Sequence, residues 1–322
     1  MIHGGGHMTL SRKAVRPAQT NFLLENGVLP VSIDHRLCPE VNIIDGPITD
    51  TLDAYKWMTT ALPNLARAKG IVVDPERVVV IGWSTGGQLA MTTAWTAKSA
   101  GVRLPRAILS FYCPTDFESG DLDKRRAEEY PERTMKLKDI IKALPKKPLT
   151  QYDGNGTDTT GLGWVRPGDP RSELVLSLFK EGNGLPLLLN GLPKDSINEH
   201  DSSDDDSEED SEDSDEEDVE DDDGWLHTPD PERVAAISPL AQLRRGNYNV
   251  PTFVIHGTND EIVPYHTAVT FVDALRKAGI EGQLLTVQGA RHIHDVTLKS
   301  GTKRWDETVA PGYEFLFEKL RC

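Results

Sequence analysis

The sequence predicts an α/β fold, a mostly parallel β-sheet flanked by helices and interrupted by an inserted segment. Three observations carry this expectation. Arg77–Ile81 is a β-branched run of strand type that leads, across a glycine-flanked turn, into a helix-like segment, Gln88–Ser99. Later in the chain the strand-like run Pro251–His256 precedes a helical pattern over His266–Ala278 and a last strand-like run, Gly282–Val287. Strands alternating with helices in this way are the mark of a parallel sheet. Between these parts, residues 117–233 change to charged and glycine-rich text, so the core is expected in two pieces, 1–116 and 234–322, around a cap-like insertion.

Taken in order, the chain opens with His3-Gly4-Gly5-Gly6-His7, where consecutive glycines leave backbone N–H groups unshielded. Such a loop suits close approach to a carbonyl oxygen. A turn at Glu25-Asn26-Gly27 leads into an expected strand, Val28–Ile33, and then to Asp34-His35-Arg36-Leu37-Cys38-Pro39-Glu40. Ile48–Ala68 reads as one amphipathic helix with Leu52, Tyr55, Trp57 and Leu62 near its buried side. Gly82-Trp83-Ser84-Thr85-Gly86 fits G-x-S-x-G between strand and helix, the context of a nucleophile elbow. Glycines two residues to either side of the serine are needed because the turn leaves no room for bulk. Arg106–Tyr112 is another strand-like run. Within the insertion, Lys124–Leu144 is helix-prone, Tyr152–Pro170 is rich in glycine and polar residues, and Ser172–Lys180 is a short amphipathic helix.

Composition narrows the function classes. The formal charge of −16 is local: 17 of the 51 acidic residues lie in Asp201–Asp223, leaving 34 against 35 basic residues elsewhere. Like charges at that density repel and bury nothing, so the run is expected to be a disordered insertion. No basic patch argues for nucleic acid. Three cysteines, Cys38, Cys113 and Cys322, are too few and scattered for a disulfide framework or a metal site. With no signal peptide and no apolar run long enough to span a bilayer, a cytoplasmic location is expected. The oligomeric state has no mark in the sequence.

The segments HGGG at 3–6, DHRLCPE at 34–40 and GWSTGG at 82–87 share their order and spacing with the hormone-sensitive-lipase-like branch of the α/β-hydrolases. The chain resembles compact fungal esterases of that branch. Prolyl-peptidase-like hydrolases share the elbow but generally lack the D-x-R-L-x-P-E segment. The resemblance implies Ser84 as nucleophile and the amides of Gly4, Gly5 and Thr85 as an oxyanion hole. In Gly257–Pro264, Asp260 falls where many hydrolases place the aspartate that orients the catalytic histidine, with Glu261 as its neighbouring rival. The family pattern G-x-x-H favours His292 as the base, with His294 second. In this family the HGGG loop follows a longer central strand, whereas Met1 and Ile2 alone precede His3 here, so an N-terminally truncated sheet is expected.

Ser84, Asp260 and His292 in that order imply acyl transfer through a covalent intermediate, with neither metal nor organic cofactor required. The expected substrate is a small or medium-sized acyl ester, with a place in secondary metabolism suggested by the fungal character of the resemblance. Acyl transfer or thioester cleavage on the same residues, and a non-catalytic small-ligand-binding descendant, are the alternatives.

Overall fold

The computed structural model describes residues 1–121, 134–152, 168–182, 184–192 and 229–321, with residues 176–181 described by their backbone alone. Its elements run, in order, α1 Pro17–Glu25, α2 Thr49–Thr60, α3 Leu62–Arg67, β1 Val80–Trp83, α4 Thr85–Ser99, β2 Ile108–Phe111, α5 Leu137–Ala143, α6 Pro170–Glu181 and α7 Gly184–Asn190. After 228 follow α8 Pro231–Ile237, α9 Pro239–Arg244, β3 Thr252–Gly257, α10 Tyr265–Lys277, β4 Gly282–Val287, α11 Lys303–Thr308 and α12 Ala310–Arg321.

The four strands stand in the order β1-β2-β3-β4, every pair parallel. Ile2 bridges both Ile33 and Gly82, so a short piece of backbone adds to the sheet beyond β1. Successive strand residues point to opposite faces. Val80, Ile108 and Val254 therefore meet Leu89 and Met91 of α4 and Phe271 of α10 in one core. Ile81, Leu109, Phe111 and Ile255 meet Tyr313 and Leu316 of α12 in the other. Helices on both faces bury these strands, which is why they read as continuous apolar runs.

Two expected elements differ. Ile48–Ala68 is a turn of π-helix, Ile44–Ile48, followed by two helices that part at Ala61. Pro63 lacks an N–H and crowds the preceding turn, so a continuous helix cannot pass through it. Trp57, expected near the buried side, is 41% exposed, whereas Tyr55 is buried and donates its hydroxyl to Arg103 O. Val28–Ile33 forms no strand of its own. Its ladder is limited to the Ile2 bridge, and Pro30 has no N–H to offer.

Of the insertion, Ser172–Lys180 falls within α6, and α5 occupies the end of the helix-prone stretch 124–144. The first part of that stretch, most of 152–170 and the acidic run 201–223 lie outside the described residues. Among the described residues no helix is long and apolar enough to cross a membrane, and no group of histidine, cysteine or acidic side chains is placed to hold a metal ion.

Candidate active site

β1 ends at Trp83 and α4 begins at Thr85, which leaves Ser84 alone to reverse the chain direction. It does so at φ 52° and ψ −129°, a backbone conformation that costs a non-glycine residue about 1–3 kcal/mol and persists only where the surroundings enforce it. The Ser84 amide donates to Phe111 O at 2.9 Å, tying the turn to the end of β2. Gly86 is required by close approach: a Cβ there would lie 2.3 Å from the carbonyl oxygens of both Ile2 and His3. The elbow and the glycine loop therefore touch backbone to backbone.

That contact places the loop over the serine. A Cβ on Gly4 would lie 3.0 Å from Ser84 Cβ, and Gly5 has a φ of 100°. The Gly5 carbonyl turns away to accept from the amides of Met8 and Thr9 and from Thr9 Oγ1. Among the described residues the amides of Gly4 and Gly5 donate to no backbone carbonyl. Thr85 opens α4, where the first N–H groups have no acceptor within the helix, and its Oγ1 accepts from the His7 amide at 3.3 Å. His3 holds the loop from below, its ring stacked on that of His35 at 4.5 Å.

The loops after β3 and β4 bring in the other two predicted side chains. His292 Nε2 lies 3.0 Å from Ser84 Oγ, and its Nδ1 lies 2.8 Å from Asp260 Oδ2. The Asp260 side chain is fully buried. Its Oδ1 accepts from the amides of Ile262 and Val263, and a second imidazole, His256, stands 3.1 Å from Oδ2. Burial alone would raise the Asp260 carboxyl. The two imidazoles outweigh it and hold the carboxyl well below the usual carboxylate range. Glu261 turns the other way, accepting from the backbone amide of His292 and pairing with Arg291. The ring of His294 packs edge-on against Tyr112 at 5.5 Å. The structure thus joins Ser84, His292 and Asp260 in one hydrogen-bonded chain and leaves Glu261 and His294 beside it.

Ser84 and His292 open onto a pocket lined mostly by apolar groups, among them Leu10, Phe117, Leu185, Leu188 and Ile262. Leu185 and Leu188 come from α7, which contributes one wall. α6 is anchored to the core by Arg171, which donates to Met8 O and Cys38 O and pairs with Glu40 in a buried salt bridge. The DHRLCPE segment therefore fastens the end of the glycine loop to α6.

Sequence reasoning missed His256, and also a buried polar cluster beneath His292 formed by Arg16, Gln19, Trp83, Tyr112 and Asp295. Asp295 lies only three residues beyond His292, yet its partners are as far as 279 positions away, so no local pattern marks it.

Comparisons with known proteins bear on the family and the fold. Residues 1–152 match the family described as alpha/beta hydrolase fold, and residues 204–321 match the prolyl oligopeptidase family. The first part of the chain thus falls in the α/β-hydrolase group, while the second part resembles the prolyl-peptidase group from which the D-x-R-L-x-P-E segment was expected to set the chain apart. The non-reducing polyketide synthase atr1 of Stereocaulon alpinum is 54% identical over 319 residues, covering 99% of this chain and 12% of its own length. The 5-methylorsellinic acid synthase of Aspergillus terreus is 40% identical over 327 residues, with 99% and 12% covered. The chain therefore spans about an eighth of the length of the curated relatives it matches. Among solved structures, carboxyl esterase 2 from Tuber melanosporum superposes with a TM-score of 0.52 at 18% identity, covering 99% of this chain and 76% of that one, a likeness of fold.

Proposed function

Because the chain belongs to the α/β-hydrolase superfamily, in its hormone-sensitive-lipase-like branch, we propose that it is a serine acyl hydrolase acting through an acyl-enzyme on Ser84. The observation that carries this reading is the unbroken hydrogen-bonded chain from Ser84 Oγ through His292 to Asp260 at the mouth of an apolar pocket. A serine hydroxyl is a weak nucleophile until a base takes its proton, and His292 Nε2 is within reach to do so. Asp260 holds the imidazole with Nδ1 protonated and stabilises the imidazolium that forms. As the acyl carbon becomes tetrahedral, the Gly4, Gly5 and Thr85 amides receive the developing oxyanion, each such donor being worth about 3 kcal/mol of barrier. His292 then protonates the leaving group, and water activated by the same histidine releases the acyl group.

The acyl donor on this reading is a thioester, with oxygen esters as accessible surrogates. Support comes from relatives such as atr1 and ascC, which match 99% of this chain and are non-reducing polyketide synthases by name. Release of an acyl chain from such a synthase, and hence a place in secondary metabolism, follows for this chain as part of the same proposal. The apolar pocket suits the carbon skeleton of the acyl group. The test compares N-acetylcysteamine thioesters with p-nitrophenyl esters of graded chain length, using wild type and Ser84→Ala. Saturable turnover of both classes, lost on substitution and with higher kcat/KM for the thioester, is expected. Turnover that survives Ser84→Ala would overturn the proposal, and a clear preference for the oxygen ester would overturn the choice of donor.

A further inference from the structure

The strongest feature outside the predicted triad is the buried carboxylate of Asp295. Its side chain is fully buried, and it collects donors from separate parts of the fold. Gln19 Nε2 of α1 lies 2.6 Å away, Arg16 Nε just before α1 at 3.3 Å, Trp83 Nε1 of β1 at 3.0 Å, and the Tyr112 hydroxyl just after β2 at 2.5 Å. Two of these partners are directly linked to the reacting groups. Trp83 precedes Ser84 in the chain. Tyr112, held at a φ of 39°, sets its ring edge-on against the His292 ring at 4.6 Å. Arg16, which also donates to the Tyr112 hydroxyl, lies over the Trp83 ring and lines the pocket.

Burying a carboxylate is costly unless a counter-charge and further donors satisfy its oxygens; here Arg16 supplies the charge, and Gln19, Trp83 and Tyr112 supply further donors. Two of those donors tie the loop that carries the base to the strand that leads to the nucleophile and to the tyrosine that packs on the base. We propose that Asp295 is a positioning residue of the reaction, clamping the His292 loop to the Ser84 elbow through Tyr112 and Trp83. The clamp fixes the plane of the imidazole between Ser84 Oγ and Asp260. This inference rests on the acyl-enzyme reading above. Burial would raise the Asp295 carboxyl, but the Arg16 charge and the Tyr112 and Gln19 bonds keep it below its usual range, so it is an anion at neutral pH.

The test uses Asp295→Asn, which keeps the shape and removes the charge, and Tyr112→Phe, which removes one donor and keeps the ring. Displacing a catalytic group by about 1 Å costs up to about a hundredfold in rate. At a temperature where each variant is fully folded, Asp295→Asn is therefore expected to lower kcat by tenfold to a hundredfold with KM within about twofold. Tyr112→Phe should act in the same direction but less, and the double variant should be no worse than Asp295→Asn. The downfield proton NMR resonance of the His292–Asp260 hydrogen bond, read in the same proteins, should shift or broaden. Unchanged kcat with that resonance unmoved, whatever happens to Tm, would make Asp295 a structural residue only and overturn the proposal. Should Asp295→Asn not fold, an unmoved resonance and unchanged kcat in Tyr112→Phe would overturn it equally. Failure of wild type to react with a fluorophosphonate would instead remove the acyl-enzyme reading, and the resonance would still decide whether Asp295 positions His292.

Discussion

Asp260→Asn replaces one oxygen by an amide nitrogen, and the structure dictates which. Oδ1 accepts from the amides of Ile262 and Val263, so the asparagine oxygen stays there, because the opposite orientation would set N–H against N–H. The new NH2 then occupies the place of Oδ2, facing His292 Nδ1 and His256 Nε2. Nδ1 of His292 must now accept rather than donate. The ring's one proton moves to Nε2, where it points at Ser84 Oγ, and the imidazole can no longer take the serine proton. The same wrong tautomer in a serine protease lowers kcat about 10⁴-fold, and the loss expected here is of that order, which corresponds to about 5 kcal/mol of barrier. KM for a small ester should hardly move, because Asp260 is not among the pocket-lining residues. The native carboxyl is held below its usual range, so its ionised form stabilises the fold at neutral pH and the variant should also melt lower. Rates are therefore compared well below both melting temperatures, by p-nitrophenyl ester hydrolysis and by the second-order rate of fluorophosphonate labelling. A fall of less than tenfold in kcat would refute the tautomer argument and mean that another group orients His292.

Other expectations follow from the same geometry. Gly86→Ala drives a methyl group against the carbonyls of Ile2 and His3, which are backbone atoms and cannot rotate away. The expected cost is about 1–3 kcal/mol with loss of labelling, read from denaturant melts and labelling rates, and an active variant of wild-type stability would contradict the contact. His7 and His35 are pushed below the ordinary histidine range by burial, His7 further by the imidazoles of His35 and His3. The unfolded chain therefore takes up protons before the folded one, so stability is full above about pH 6.5 and falls towards the depressed folded values, by at most about 1.4 kcal/mol per pH unit per histidine. Melting temperatures from pH 8 to pH 5 should fall more steeply in wild type than in His35→Phe, and parallel curves would contradict the assignment.

The parts legible in the sequence are those in which the chain's own local geometry constrains residue type. An elbow this tight admits only glycine at 86, so a G-x-S-x-G between strand and helix pointed to Ser84, and the resemblance to the hydrolase family, with the order Ser, Asp, His, pointed to the loops carrying Asp260 and His292. The strands were legible because helices cover both faces of the sheet. The break at Pro63 was there to be read but was overridden by the apolar periodicity on either side of it. His256, Arg16, Tyr112 and Asp295 were not legible. Each is an ordinary polar residue near a strand, helix or loop end, and its role exists only once distant segments pack together.

The central claim is that Ser84 Oγ is the atom that carries the acyl group. Its most direct test is intact-protein mass spectrometry after reaction with a slowly hydrolysed acyl thioester, followed by peptide mapping. The account predicts a single acyl adduct on the peptide containing Ser84, absent from Ser84→Ala and accumulating far more slowly in His292→Ala than in His294→Ala. An adduct on another residue, or one of equal rate in Ser84→Ala, would contradict it.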